Sequence, residues 1–136
     1  MVRRVLETGE PLEVTTHGHP TGVALDPAEQ YAGSILSRAD LEFAVRAARS
    51  ATDTAARTRR LNELDELFDW LPFDAECTRS YGIVTSTARA SGARLRGGDA
   101  LIAAQAHRHG AAVMTENVAD FQPFDHVVQV LAPRRR

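Results

Sequence analysis

Short apolar runs with extended spacing alternate along the chain with longer stretches of helical spacing. Residues 11–25 predict two short strands around a turn. Residues 34–36 predict another strand, and Ser37 is expected to cap the helix that follows it. Two further helices are predicted over about residues 53–68 and, with an aspartate as the cap, over about residues 74–90.

The C-terminal third continues this alternation. An alanine-rich helix is predicted to open at Asp99 and to end at Gly110, a residue type that favours the position just after a helix. The apolar runs 111–114 and 127–131 predict two more strands. Because short apolar strands alternate with helices, the sequence predicts an α/β fold with a parallel sheet flanked by helices.

The composition is that of an ordinary globular domain. The chain has 136 residues, of which 43% are hydrophobic and 25% are charged, and no apolar run approaches the ~20 residues of a transmembrane helix. The net charge of −2 excludes a strong basic field over the whole molecule, although every basic residue is an arginine. A single cysteine, Cys77, excludes an internal disulfide, so we expect a cytoplasmic protein with no membrane partner.

Three aspartates are predicted near the carboxyl ends of strands. Asp40 follows the 34–36 run, Asp99 opens the alanine-rich helix, and Asp120 follows the 111–114 run. Ligands of open α/β sheets bind at this edge, and carboxylates are the ligands that Mg²⁺ prefers. Each aspartate alone also has a structural explanation, as a helix cap, as a complement to a helix dipole or as a turn residue.

Two sequence motifs connect these aspartates. Residues 98–104 read Gly-Asp-Ala-Leu-Ile-Ala-Ala, and after Gly110 residues 113–121 read Val-Met-Thr-Glu-Asn-Val-Ala-Asp-Phe. Residues 34–45 read Ser-Ile-Leu-Ser-Arg-Ala-Asp-Leu-Glu-Phe-Ala-Val. Over about residues 33–131 the chain therefore resembles the PIN-domain ribonucleases, specifically the VapC-type toxins of bacterial toxin–antitoxin pairs.

The resemblance implies that Asp40, Asp99 and Asp120 are catalytic residues and metal ligands of one acidic cluster. It also implies that Thr115 and Asn117 arrange the loop or the water molecules on the metal. The expected ion is Mg²⁺, with Mn²⁺ as the alternative, and the expected reaction is the hydrolysis of RNA phosphodiester bonds. Such an ion activates water and offsets the negative charge that develops on the phosphate, so no covalent intermediate with the protein is needed.

Further partners follow from the same resemblance. A cognate antitoxin, an RNA substrate and a second copy of the chain in a homodimer are expected. Arg94 and Arg96, which precede the alanine-rich helix, are candidate contacts for substrate phosphate, with solvated loop arginines as the alternative.

The beginning of the chain departs from the family pattern, which opens with a strand that ends in aspartate. Residues 2–25 instead resemble a fragment of a Phd/YefM or VapB-type antitoxin. We expect an antitoxin-like hairpin segment over residues 1–28 and a PIN-like domain over residues 29–136 whose first strand is missing or replaced. Asp26 ends a strand-like run, but the nine residues up to Ile35 are fewer than a helical crossover needs.

The departure leaves three functional hypotheses open. The first is an endoribonuclease toxin whose activity is weakened by the loss of the first acid. The second is a catalytically inactive PIN-like module that binds an antitoxin or a sister toxin. The third is a fusion protein in which the antitoxin-like segment neutralises the toxin part of its own chain.

Overall fold

The computed structural model describes residues 15–16, 19–26, 30–95 and 97–132, and it describes those before Ala32 by their backbone alone. Within these ranges three strands are followed by four helices and then by a strand, a short helix and a last strand, and the predicted α/β class is confirmed. The strands are β1 (Thr15–Thr16), β2 (His19–Asp26), β3 (Gln30–Ala32), β4 (Ala112–Thr115) and β5 (Val130–Leu131). The helices are α1 (Ile35–Ala47), α2 (Ala51–Leu67), α3 (Ala75–Ala90), α4 (Gly97–Arg108) and α5 (Val118–Phe121), and a 3-10 turn (Gln122–Phe124) follows α5.

Side-chain caps determine where three of the helices begin. Ser34, Ser50 and Asp74 each accept a hydrogen bond from a backbone N–H of the following turn, at 3.0 Å in all three cases. Each bond satisfies a donor that the first turn of a helix leaves without an intrahelical partner. The predicted cap at Asp74 is confirmed. The cap of α1 is Ser34 and not Ser37, because the predicted 34–36 strand is already the start of the helix.

The sheet combines antiparallel and parallel pairing. Its order is β1-β2-β4-β5, and β3 also pairs with β2. β4 runs parallel to β5, and an isolated parallel bridge joins Ser34 to Leu71, as the predicted parallel sheet requires. β2 departs from that prediction, because it runs antiparallel to β4.

The expected hairpin near the N-terminus lies mostly outside the described residues. β1 and β2 pair antiparallel, with Thr16 opposite His19. Residues 1–14 and the turn residues 17–18 are not described, so the hairpin and the boundary after residue 28 stay predictions.

The central helix of the core is α4. Ala103, Ala104 and Ala106 are fully buried, and because their side chains are short, α3 packs closely along α4. Phe121 and Phe124 belong to the same core, with ring centroids 6.4 Å apart. The core thereby holds α4 against both β4 and α5. No helix among the described residues is long and apolar enough to cross a membrane.

Candidate active site

The loop after β4 connects three of the predicted site residues. Thr115, the last residue of β4, is fully buried, and its Oγ1 accepts a hydrogen bond from the backbone N–H of Asn117 at 3.0 Å. Asn117 Nδ2 donates to Asp120 Oδ2 at 2.7 Å. The two bonds tie the end of the strand to α5 and orient the carboxylate of Asp120.

Asp99 is the most deeply buried of the predicted acids. It occupies the third position of α4, with 2% of its surface exposed, and its Oδ2 atom is fully enclosed by protein. A helix cap stands before the first turn, so the position of Asp99 does not match the simple capping role. Enclosing a carboxylate costs free energy, because burial disfavours the charged form, whereas a purely structural acid in a first turn needs no burial.

Asp40 differs from Asp99 in its burial. It is exposed on α1, the helix in which it was predicted. Among the described residues, no three histidine, cysteine, aspartate or glutamate side chains come together as a group that could hold a metal ion. The structure therefore does not assemble the expected three-carboxylate cluster of Asp40, Asp99 and Asp120.

The direction of β2 places Asp26 at the wrong end of the sheet for this site. Thr21 pairs with Thr115 and Ala24 pairs with Ala112, so β2 runs toward the beginning of β4. Asp26 follows Ala24 and lies at the end of the sheet where β4 starts. The loop that carries the predicted acid follows the opposite end of β4. Asp26 thus does not replace the missing first acid.

Of the two arginines proposed as phosphate contacts, the structure describes only Arg94. Arg94 is exposed in the connection between α3 and α4, as either of its two interpretations requires. Arg96 lies outside the described residues, so its proposed contact stays a prediction.

Arginines of α1 form ion pairs with carboxylates of α1 and α2. Arg38 donates to both carboxylate oxygens of Asp65 at 2.8 Å and to Glu42 at 2.9 Å. These hydrogen bonds lower the pKa of Asp65 and the pKa of Glu42. Asp65 also accepts a hydrogen bond from Trp70 Nε1, and Glu42 also accepts one from Arg46. The guanidinium of Arg38 is therefore committed to carboxylates of its own chain.

Sequence patterns did not single out Gln105, the fully buried polar residue of α4. The hydroxyl of Ser34 donates to Gln105 Oε1, and Gln105 Nε2 donates to the carbonyl oxygens of Leu71 and Pro72 at 3.0 Å each. The sequence feature that could have identified Gln105 is a long polar side chain among alanines on a predicted core helix, since a buried polar group needs hydrogen-bond partners.

The family of the chain follows from its similarity to known proteins. The model of the PIN domain family matches residues 19–126. The chain belongs to the PIN domain family. The matched range includes β2 and the three predicted aspartates as well as the loop after β4.

Solved structures similar to this PIN domain include two at 28% identity. It is similar to VapBC-5 of Mycobacterium tuberculosis, a member of the VapBC family of toxin–antitoxin systems, with 28% identity, a TM-score of 0.67 and coverage of 76% of this chain and 81% of that chain. It is also similar to FitAcB of Neisseria gonorrhoeae, with 28% identity, a TM-score of 0.66 and coverage of 74% and 73%.

The fold is shared with a more distant structure as well. VapBC2 of Rickettsia felis, bound to a DNA fragment from its promoter, has 22% identity, a TM-score of 0.66 and coverage of 74% and 73%. Among curated proteins the sequence has no match. Two of these three structural neighbours of the PIN domain are thus VapBC proteins.

Proposed function

We propose that this PIN domain is the toxin component of a VapBC-type toxin–antitoxin pair and hydrolyses RNA phosphodiester bonds with Mg²⁺. The observation that carries the proposal is the enclosed carboxylate of Asp99 on α4, a helix packed against β4 and α5. VapBC-5 of Mycobacterium tuberculosis, a neighbour at 28% identity, is a member of a family of toxin–antitoxin systems. A cognate antitoxin and a second copy of the chain are the protein partners that we propose.

The donor set suits Mg²⁺ even without a third acid. Asp99 and Asp120 offer carboxylate oxygens, and Asn117 holds the second of them through its side-chain amide. Mg²⁺ is commonly bound by one or two carboxylates, with water and substrate phosphate completing its shell, and Mn²⁺ accepts the same oxygen ligands. When bound, the ion supplies an activated water molecule and neutralises charge on the phosphodiester.

The chain's own residues have distinct roles in this proposal. Asp99 and Asp120 hold the cation, and Asn117 and Thr115 keep Asp120 oriented through the bonds of the loop. The start of α4 adds the partial positive charge of a helix N-terminus near Asp99, and Arg94 and Arg96 stay the proposed contacts for substrate phosphate. In this proposal Asp40, which is exposed on α1, is not one of the metal ligands.

We also propose that β2, from the antitoxin-like segment of residues 1–28, replaces the first strand of the PIN-like domain of residues 29–136. Support comes from its pairing with β4, on the edge opposite β5. The family match begins at residue 19 and therefore includes β2, which supports this proposal.

The proposal is tested by RNA cleavage and by growth arrest after induction in a bacterial host. We expect the purified wild type to cleave RNA with Mg²⁺ and not with a chelator, and Asp99→Asn to lose activity by at least ~100-fold, because a metal ligand is removed. Asp125→Asn, which changes an exposed aspartate outside the site, is the matched control. A wild type as inert as Asp99→Asn in both assays contradicts the nuclease function.

The second candidate is a catalytically inactive PIN module that binds an antitoxin or a sister toxin. The observation that favours it is the lack of a three-ligand group among the described residues. An inert wild type that co-purifies stoichiometrically with an antitoxin expressed beside it supports this candidate.

The self-neutralising fusion is tested by a deletion. Removal of residues 1–14 leaves β1 and β2 in the chain. A rise of about 10-fold or more in RNA cleavage, roughly 1.4 kcal/mol of relief, supports self-neutralisation. Unchanged cleavage excludes neutralisation by residues 1–14.

A further inference from the structure

We propose that Gln105 is a positioning residue of the active site. Together with Ser34 it fixes where α4, which carries Asp99, lies relative to α1, which carries Asp40. The inference rests on the proposed metal-dependent function and adds two residues that touch neither metal nor substrate.

The side chain of Gln105 uses all of its hydrogen-bonding groups inside the protein. Both Gln105 and Ser34 are 0% exposed. The hydroxyl of Ser34 donates to Gln105 Oε1, while Gln105 Nε2 donates to the carbonyl oxygens of Leu71 and Pro72 at 3.0 Å each. Because an amide has two N–H donors and one oxygen acceptor, this arrangement satisfies the whole group.

Ser34 is itself fixed at the start of α1. Its hydroxyl caps the helix by accepting from the N–H of Leu36 at 3.0 Å. The parallel bridge to Leu71 holds its backbone neighbours, since Ile35 N donates to Leu71 O and Leu71 N donates to Gly33 O, both at 2.9 Å. The Leu71 carbonyl therefore accepts hydrogen bonds both from Ile35 N of α1 and from Gln105 Nε2 of α4. This carbonyl links the helix of Asp40 to the helix of Asp99.

The surroundings of Gln105 explain why α4 needs such a link. The other buried residues along the middle of α4 are mainly alanines, among them Ala103, Ala104 and Ala106. Short side chains interdigitate less with their neighbours than large ones do. A helix face made of alanines therefore resists a small axial displacement less than a face made of large side chains. Directional bonds from a fully satisfied buried polar group fix one register.

A displacement of α4 moves Asp99 by the same amount. Gln105 lies six residues after Asp99, about 9 Å along the helix axis. Since a helix is stiff over this length, the bonds of Gln105 set the axial position of the Asp99 carboxylate relative to Ser34 and to the Leu71 and Pro72 carbonyls. The same helix contacts α5, which carries Asp120. Metal affinity is sensitive to such displacements, and loss of residues that orient a ligand typically weakens it by about 10–100-fold.

The test measures Mn²⁺ affinity by electron paramagnetic resonance, without RNA and below the melting temperature of every variant. Gln105→Leu keeps the approximate size of the side chain and removes its three hydrogen bonds. We expect about 10-fold weaker Mn²⁺ binding than in the wild type. Gln129→Leu, at an exposed glutamine, is the matched control and should bind like the wild type.

A second control separates positioning from general stability. Leu64→Ala removes a fully buried side chain from the separate cluster of Leu64 and Phe68, so it lowers Tm without touching α4. We expect its Mn²⁺ affinity to stay within about 2-fold of the wild type. If Leu64→Ala weakens Mn²⁺ binding as much as Gln105→Leu does, or if Gln105→Leu binds like the wild type, the positioning role is wrong.

Ser34→Ala tests the same link with a milder change. It removes one bond to Gln105 together with the cap of α1, and Ser50→Ala, which removes the cap of α2, is its control. Weaker Mn²⁺ binding in Ser34→Ala but not in Ser50→Ala supports the link, even if Gln105→Leu does not fold. Equal effects of the two serine variants contradict it.

A metal-free measurement keeps the inference separable from the proposed function. Amide resonances of residues 97–101 should shift in Gln105→Leu and stay in place in Leu64→Ala, because only the first variant releases α4. A wild type without Mn²⁺ affinity contradicts the metal-dependent function, and the resonances then decide the positioning role alone. If the amide resonances of residues 97–101 do not shift in Gln105→Leu, the positioning role of Gln105 is wrong.

Discussion

Asn117 links the backbone of the loop after β4 to the acid of α5. Its Nδ2 donates to Asp120 at 2.7 Å, and its backbone N–H donates to Thr115 Oγ1. A carboxylate that serves as a ligand gains from such a partner, because the bond limits its rotation before the ion arrives.

We expect Asn117→Ala to lower kcat for RNA cleavage by about 10–100-fold, because Asp120 loses its orienting partner. Tm should change little, since one partly exposed hydrogen bond contributes only about 1 kcal/mol to stability. Steady-state cleavage and thermal unfolding provide the two measurements. Asn62→Ala, at an exposed asparagine of α2, is the control, and unchanged kcat in Asn117→Ala would remove Asn117 from the site.

The pair of Arg38 and Asp65 makes stability depend on pH. The hydrogen bonds from Arg38 lower the pKa of Asp65 in the folded protein. The stabilisation is therefore complete above the ordinary pKa of aspartate and is lost as the pH falls through the lowered value. Both side chains are about one-third exposed, so water reduces the contribution to about 0.5–1 kcal/mol.

Denaturant unfolding of the wild type and of Asp65→Asn checks this dependence. At pH 7 the wild type should be more stable by that amount. The difference should shrink steadily once the pH drops below the ordinary range of an aspartate. An equal difference at pH 7 and at the acid end would mean that the charge of Asp65 does not contribute.

At the scale of elements, the connection from β3 to α1 depends on a glycine. A Cβ atom at Gly33 would stand 2.6 Å from the six-membered ring of Trp70 and 3.3 Å from Phe68. The close approach allows the aromatic pair, whose ring centroids are 5.2 Å apart, to pack directly against the backbone that leads into α1.

We expect Gly33→Ala to destabilise the fold by about 1–3 kcal/mol, because the ring of Trp70 must move. Gly82→Ala on α3 is the matched comparison, since a Cβ there meets nothing within 4 Å. It should stabilise the protein by up to about 1 kcal/mol through better helix propensity. Thermal or denaturant unfolding distinguishes the two, and equal Tm values would contradict the contact at Gly33.

Local patterns predicted most helices, because caps and apolar spacing act within one or two turns. The cap at Asp74 and the end of its helix at Ala90 were predicted from the sequence. The exposure of Asp40 was not predicted, because a position on a helix does not fix how that helix turns toward its neighbours. The role of Gln105 was missed for a related reason, since its partners are 34 and 71 residues away.

At the scale of the whole molecule, the direction of β2 was the feature least accessible from the sequence. An alternating apolar run looks the same whichever way it pairs, and the direction depends on the connections at both ends. The short connection to Ile35 argued against a standard crossover, but it did not show that the strand would enter the sheet reversed. The antiparallel register with β4 supplies that answer.

The reversed strand gives a direct prediction for Asp26. We expect Asp26→Asn to keep wild-type RNA cleavage and Mn²⁺ affinity within about 2-fold, because the residue lies at the end of the sheet away from the loop of Asp120. Cleavage and metal titration beside Asp99→Asn provide the measurement. A loss as large as that of Asp99→Asn would show that β2 runs parallel to β4 in solution.

The pairing of β2 with β4 also affects the tendency of the chain to aggregate at high concentration. β4 is paired along both edges, by β2 on one side and by β5 on the other. Without β2, the backbone N–H and C=O groups on one edge of β4 would offer a template for strands of other molecules, the usual starting point of aggregation. A strand of either direction covers that edge, so β2 protects the chain from aggregation through β4 even though its reversed course supplies no acid to the site.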